Sequence, residues 1–182
     1  SMEVEKSASA ITEMFQSQMA AAAAEDVTAA FELMETLLTT PGDDLARRAL
    51  EQLQRIIPSI TAVLYEVTPS REELVATTVV GEYQEQLTGM VIRWGEGVSG
   101  RAALTRTPFV NAHAMADVAR VFDPGEHIDL SAALCVPVVL HEETVAVITL
   151  YHSSYEIYKP HHRSVLITIA EYLATAMDLR RR

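Results

Sequence analysis

A glycine-spaced turn followed almost at once by a proline constrains this chain more than any other segment. Gly95-Glu96-Gly97-Val98-Ser99-Gly100 has the spacing G-x-G-x-x-G, and Thr107-Pro108 follows closely. In a dinucleotide-binding unit such glycines permit a tight turn and let backbone approach a pyrophosphate seated on a helix N-terminus. That use needs a strand before, a helix after, and a parallel second strand carrying an acid about 20 residues on. The strand is legible in Met90-Val91-Ile92-Arg93-Trp94, and a helix over residues 98–105. The residue before a proline avoids helical backbone, so this helix stops too soon for a parallel crossover of roughly 10–12 residues or more. Asp117 stands at a suitable distance, but residues 111–120 are polar and alanine-rich, unlike a buried strand. The segment therefore reads as a turn from a strand into a short helix. Nor is it a nucleophile elbow: Gly-x-Ser-x-Gly would require glycine where Arg101 stands.

The 182 residues predict one compact domain with helical additions. A hydrophobic content of 49% fills a core, and 21% charged residues argue against disorder. The net charge of −11 argues against direct nucleic-acid contact, which calls for a basic face. Cys135 is the single cysteine, so neither an internal disulfide nor a cysteine-based zinc site is possible, and a reducing, cytoplasmic setting is expected. The longest apolar run, residues 132–140, contains Pro137 and falls far short of the ~20 residues that span a bilayer, so no membrane association is expected. No signal peptide is visible. Ser1-Met2 reads as a tag remnant, which suggests an expressed fragment of a larger protein.

Residues 3–39 read as helical, with Val4, Ala8, Ile11 and Phe15 and later Phe31, Met34, Leu37 and Leu38 at three-to-four spacing. An apolar stripe of this kind must pack, either on its own domain or on a second copy. Thr40-Pro41-Gly42-Asp43-Asp44 punctuates the chain, and Leu45, Ala49, Leu50, Leu53 and Ile56 mark a second amphipathic helix that stops at Pro58. The period then changes. Residues 60–67 and 74–80 read as a strand pair, as do 132–140 and 145–152, each joined by a short polar link. Residues 160–182 open with proline and form a last helix ending in three arginines, which suit a helix C-terminus or begin a linker. The order implies an α+β fold with an antiparallel sheet and flanking helices. Residues 107–131 show no strong periodicity; a stretch of that length is functional or holds small helices of its own.

In order, Trp94-Gly95-Glu96-Gly97-Val98-Ser99-Gly100-Arg101, Thr107-Pro108-Phe109-Val110, Asp117, Phe122-Asp123-Pro124, Ser131 through Val138, Val145 through Tyr151, Tyr158 and Ile169-Ala170-Glu171-Tyr172 together resemble the GAF domain, a small-molecule sensory module of signalling proteins. The resemblance covers roughly residues 41–179. It implies a six-stranded antiparallel sheet with N- and C-terminal helices on one face and a ligand cavity with its lid on the other. It implies the division 1–40 as a signalling and dimerisation helix region, 41–179 as the GAF domain and 180–182 as the start of a linker. On this resemblance the glycine turn starts the helix that walls the cavity, and residues 107–131 are the lid. One departure stands out: many relatives carry an aspartate shortly after the Pro-x-Val segment, where this chain has His113. Cyclic-nucleotide relatives often carry Asn-Lys-Phe-Asp-Glu near the hairpin end, where this chain has Tyr151-His152-Ser153-Ser154-Tyr155.

The ligand-binding candidates are Trp94, Phe109, Asn111, His113, Asp117, Phe122, His127 and Cys135. Trp94, Phe109 and Phe122 could wall a cavity or stack on a base, while Asn111 and Asp117 could orient a polar ligand. The bland alternative makes the phenylalanines core plugs and Asp117 a helix cap. Cys135 reads as core or cavity wall, free cysteine being a small hydrophobe. Some relatives attach bilin through a lid cysteine, and the lid here has none. The GAF-type methionine sulfoxide reductases work through several cysteines, and one leaves no resolving thiol. Of six histidines, only His113 and His127 share the lid, and no His-x-x-x-His or clustered carboxylate pattern supports a metal. Neither haem, bilin nor any other cofactor is required. The expectation is a non-catalytic sensory domain that binds a small molecule, pairs as a homodimer through its flanking helices, and regulates an attached histidine kinase, diguanylate cyclase or phosphodiesterase. A redox enzyme and a structural dimer with a filled cavity are the alternatives.

Overall fold

The structure, a computed structural model, describes residues 2–19, 32 and 42–180. Helix α1 (Met2–Met19) precedes α2 (Gly42–Ile56); the remainder of the helix expected over residues 3–39 lies outside the described residues, apart from Glu32. On α2, Leu45, Ala49, Leu50, Leu53 and Ile56 are buried, the 3.6-residue period seen in the sequence. Pro58 ends it, as the bias of a pre-proline residue against helix requires. Then come β1 (Thr61–Val67), β2 (Glu73–Gly81), a short helix α3 (Gln84–Leu87) and β3 (Val91–Arg93). After the glycine turn come α4 (Gly97–Thr105), β4 (Phe109–His113), a one-turn helix α5 (Met115–Val118), β5 (Ala132–Leu140), β6 (Glu143–His152) and α6 (Pro160–Arg180).

The six strands form one antiparallel sheet in the order β3-β2-β1-β6-β5-β4. This is the α+β, six-stranded architecture expected. The two-residue link between β5 and β6 has His141 and Glu142 at φ 51° and 67°, the positive pair that suits the twist of a tight hairpin. Strand β4 falls inside the stretch that carried no periodicity. It is short, lies at the sheet edge, and has a register break between Phe109 and Ala112 where Asn111 takes φ 53°, so no alternating pattern could announce it.

Two cores lie on opposite faces of the sheet, divided by the two-residue strand period. Ala62, Leu64, Leu134, Val136, Ile148 and Leu150 face α2 and α6. Val63, Tyr65, Ala133, Cys135, Val147 and Tyr151 face α4 and the segment after it. Burial on both faces explains why β5 and β6 read as nearly continuous apolar runs. Helix α6 packs on β5 and also meets α1, which is why its buried residues, among them Leu166, Ile169, Tyr172 and Leu173, surround much of its girth. No helix among the described residues is long and apolar enough to cross a membrane.

Candidate functional site

The site is built around the first turn of α4. A helix start leaves backbone N–H groups without partners, and the residue in the N-cap position, Glu96, supplies no side-chain bond. Asp117 of α5 reaches across instead. Its Oδ1 accepts the Val98 N–H at 2.7 Å and the Ser99 N–H at 3.2 Å. Glycine makes the approach possible: a Cβ on Gly97 would strike that carboxylate, and one on Gly100 would lie 2.6 Å from the Arg93 carbonyl oxygen. The glycine spacing thus serves an anion at a helix N-terminus, but the anion is the chain's own carboxylate.

Asp117 is fully buried and fully bonded. Its Oδ2 accepts the Ser99 hydroxyl at 2.6 Å and the Tyr151 hydroxyl at 2.7 Å. With the Tyr151 proton so used, the Tyr65 hydroxyl donates to the Tyr151 oxygen at 2.6 Å. Ser99 Oγ lies 2.7 Å from Thr149 Oγ1, and Cys135 Sγ is 3.4 Å from Thr149 Oγ1 and 3.6 Å from Ser99 Oγ. One carboxylate therefore ties the lid segment, the wall helix and strand β6 together. A buried charge without such partners would be severely unfavourable. Burial pushes the Cys135 thiol well above its ordinary range, and the Asp117 charge pushes it further. The same two causes, in the same order, raise the Tyr65 and Tyr151 hydroxyls. These groups are held neutral, so Cys135 is no thiolate nucleophile.

The eight candidate residues occupy different places. Asp117 and Cys135 meet in this network. Trp94, Phe109 and Phe122 are half-buried at the margin of the same core. Phe122 meets Tyr83 edge-on, ring centres 5.5 Å apart, and the Arg101 guanidinium lies 5.0 Å from the Phe109 ring centre. Trp94 turns to the β2–β3 end, 5.4 Å from the Arg71 guanidinium, beside an open depression that also involves Arg93 and Glu96. Asn111 fastens β4 to the chain before α6: its Nδ2 donates to the Tyr158 carbonyl and its Oδ1 accepts the Tyr158 N–H, both at 2.9 Å. His113 and His127 are exposed. No cluster of three His, Cys, Asp or Glu able to hold a metal occurs among the described residues. Sequence reasoning missed Tyr65, Ser99, Thr149 and Tyr151. No motif links them: Tyr65, Thr149 and Tyr151 are strand residues of types common in strands, and Ser99 sits in the first turn of α4.

The sequence matches the GAF domain family over residues 39–178. No curated protein matches it. Among solved structures it is similar to the GAF domain of an Acinetobacter phosphoenolpyruvate-protein phosphotransferase, at 14% identity and TM-score 0.70, covering 87% of this chain and 96% of that one. The free methionine-R-sulfoxide reductase of Neisseria meningitidis, in complex with its substrate, superposes with TM-score 0.71 at 16% identity, covering 88% and 94%. The A. aeolicus nlh2 GAF domain in an inactive state gives 0.67 at 15%, covering 85% and 96%. At such identities these likenesses establish the fold.

Proposed function

This chain belongs to the GAF domain family, and from that premise we propose that it is a non-catalytic sensory module whose lid, residues 107–131, responds to a small molecule and regulates an attached output domain. Membership in the family supports a sensory or regulatory role; the lid mechanism is our reading. The observation that carries it is the Asp117 carboxylate, which joins lid, wall helix and sheet. A ligand that takes over part of this hydrogen bonding releases the lid from α4. It shifts the equilibrium only by its differential affinity for the two lid positions. The flanking helices α1 and α6, which touch each other on the opposite face of the sheet, are the proposed route to the output and to a second copy. A histidine kinase, diguanylate cyclase or phosphodiesterase in the cytoplasm is the output class we propose.

The buried, neutral Cys135, single in the sequence, weighs against sulfoxide reduction, which would need an accessible thiolate and a second thiol. The filled-cavity alternative has its own support: Tyr65, Leu74, Leu87, Ile92 and Tyr151 are all fully buried in the core that the lid residues also enter. One experiment separates the three readings. The purified protein is screened by thermal shift against amino acids, organic acids and cyclic nucleotides, and assayed for reduction of free methionine sulfoxide with dithiothreitol. The sensory reading expects saturable stabilisation by at least one compound without turnover. Turnover would establish the enzyme; the absence of any stabilising compound would leave the structural dimer.

A further inference from the structure

A cavity lies at the far end of β5, away from the Asp117 network. Strand β5 pairs with β4 from Ala132 to Cys135, where Phe109 begins β4, and then runs on to Leu140. Beside this continuation opens a cavity of about 220 Å³, bounded by the end of α4, residues 136–139 and α6. Its lining divides by chemistry. Pro108, Pro137, Val139 and Ile167 make an apolar floor, and Arg106, Arg163 and Glu171 make a charged rim.

The rim has a definite construction. Arg163, Ile167 and Glu171 recur every four residues, so α6 presents them on one face. Arg106 comes from the opposite wall. It caps α4 with φ 57°, and its Nη1 donates to the Glu142 carbonyl at 2.6 Å, which anchors the guanidinium at the cavity edge. Among the described residues, neither arginine nor Glu171 takes part in an ion pair. On a chain of net charge −11, two guanidinium groups against one carboxylate around an apolar floor are a local reversal of sign.

We propose that this groove binds a small organic monocarboxylate with an apolar body, such as a branched or aromatic acid. Guanidinium groups match a carboxylate in shape and charge, and the prolines, Val139 and Ile167 match the hydrocarbon. Two cations against one anion leave the rim with a single net positive charge, and Glu171 repels a dianion such as a phosphate monoester. The volume lies below the roughly 300–1,000 Å³ of sites for larger ligands, which leaves no room for a nucleotide. A bound acid clamps the C-terminal end of α4 to α6, and α4 is the helix whose other end Asp117 holds. The groove thus offers a second input to the same wall helix, at the end opposite the Asp117 network.

The test is calorimetric titration of the full chain with 4-methyl-2-oxopentanoate, benzoate and inorganic phosphate. At least one of the acids should bind saturably at a single site, and phosphate should not compete. Arg163→Gln, an exposed position, should weaken binding at least tenfold. Arg93→Gln, which removes one cation elsewhere on the surface, should change it less than twofold. Glu171→Gln should tighten it severalfold, a change that mere loosening of the fold would not produce. The proposal is overturned if neither acid binds, if phosphate binds as well, if Arg93→Gln weakens binding as much as Arg163→Gln, or if Glu171→Gln weakens it. The lid reading stands or falls separately, on compounds whose effect Arg163→Gln leaves unchanged.

Discussion

A side chain on Gly97 and the carboxylate of Asp117 cannot share the protein: a Cβ built on the glycine falls on Asp117 Oδ1. Gly97 also holds φ 61°. Gly97→Ala should therefore cost the left-handed strain, about 1–2 kcal/mol, plus the displacement of a buried charge, for a total of about 3–5 kcal/mol. Gly89 is the comparison. It has φ 84° with nothing within 4 Å of a built Cβ, so Gly89→Ala should lose only about 1–2 kcal/mol. Urea denaturation of both variants checks the difference; equal losses would remove the steric account.

Asp117→Ala deletes the acceptor for two backbone N–H groups and two hydroxyls. It should lose about 3–5 kcal/mol, as for other buried charged networks broken on one side. The pair should be strongly non-additive: with the carboxylate gone, Gly97→Ala should cost only its backbone strain, about 1–2 kcal/mol. A double-mutant cycle by urea denaturation measures this, and additive losses would mean the two residues do not meet.

Cys135, Tyr65 and Tyr151 make the fold sensitive to alkali. Each has its folded pKa raised, Cys135 from an ordinary value of 9.0. In the unfolded chain these groups lose protons first. The stability they contribute is complete below their unfolded values and drains away as pH rises above them. Above about pH 9 each such group should subtract about 1.4 kcal/mol per pH unit, the thiol first and the tyrosines from about pH 10. Denaturation at successive pH values should show the steepening, and Cys135→Ala should abolish the first part of it. In native protein the thiol should resist disulfide reagents until the chain opens.

Asn111 makes two hydrogen bonds to the Tyr158 backbone from a positive-φ position. Asn111→Gly keeps the backbone and loses only the bonds, about 1–3 kcal/mol. Asn111→Ala adds left-handed strain and should lose roughly 1–2 kcal/mol more. Hydrogen exchange should quicken at the Tyr158 amide in both, and unchanged protection there would refute the fastening role.

The fold was legible where a period repeats. Leu45, Ala49, Leu50 and Leu53 announced α2, and the apolar runs of β5 and β6 announced a strand pair, whose burial on both faces the structure then revealed. Strand β4 was not legible, because its bulge at Asn111 breaks the alternation on which strand reading depends. At the site, the candidates Asp117 and Cys135 came from the sequence, as did the alternative of Asp117 as a helix cap. The helix it caps is α4, nearly 20 positions earlier in the chain, and local capping rules reach only a few residues.

The sequence by itself determined that Gly95, Gly97 and Gly100 form a turn into a short helix and not a dinucleotide site, because Pro108 denies the helix its length. It also determined the sheet-and-helix class, through the change from a 3.6-residue to a two-residue apolar period. Only the tertiary structure decided what the glycines admit. Tyr65, Ser99, Asp117, Cys135, Thr149 and Tyr151 lie on five separate elements, β1, α4, α5, β5 and β6, with no motif linking them. They meet because strand pairing fixes which side chains face the lid, and because a carboxylate taken out of water must find its hydrogen-bond donors wherever the fold brings them.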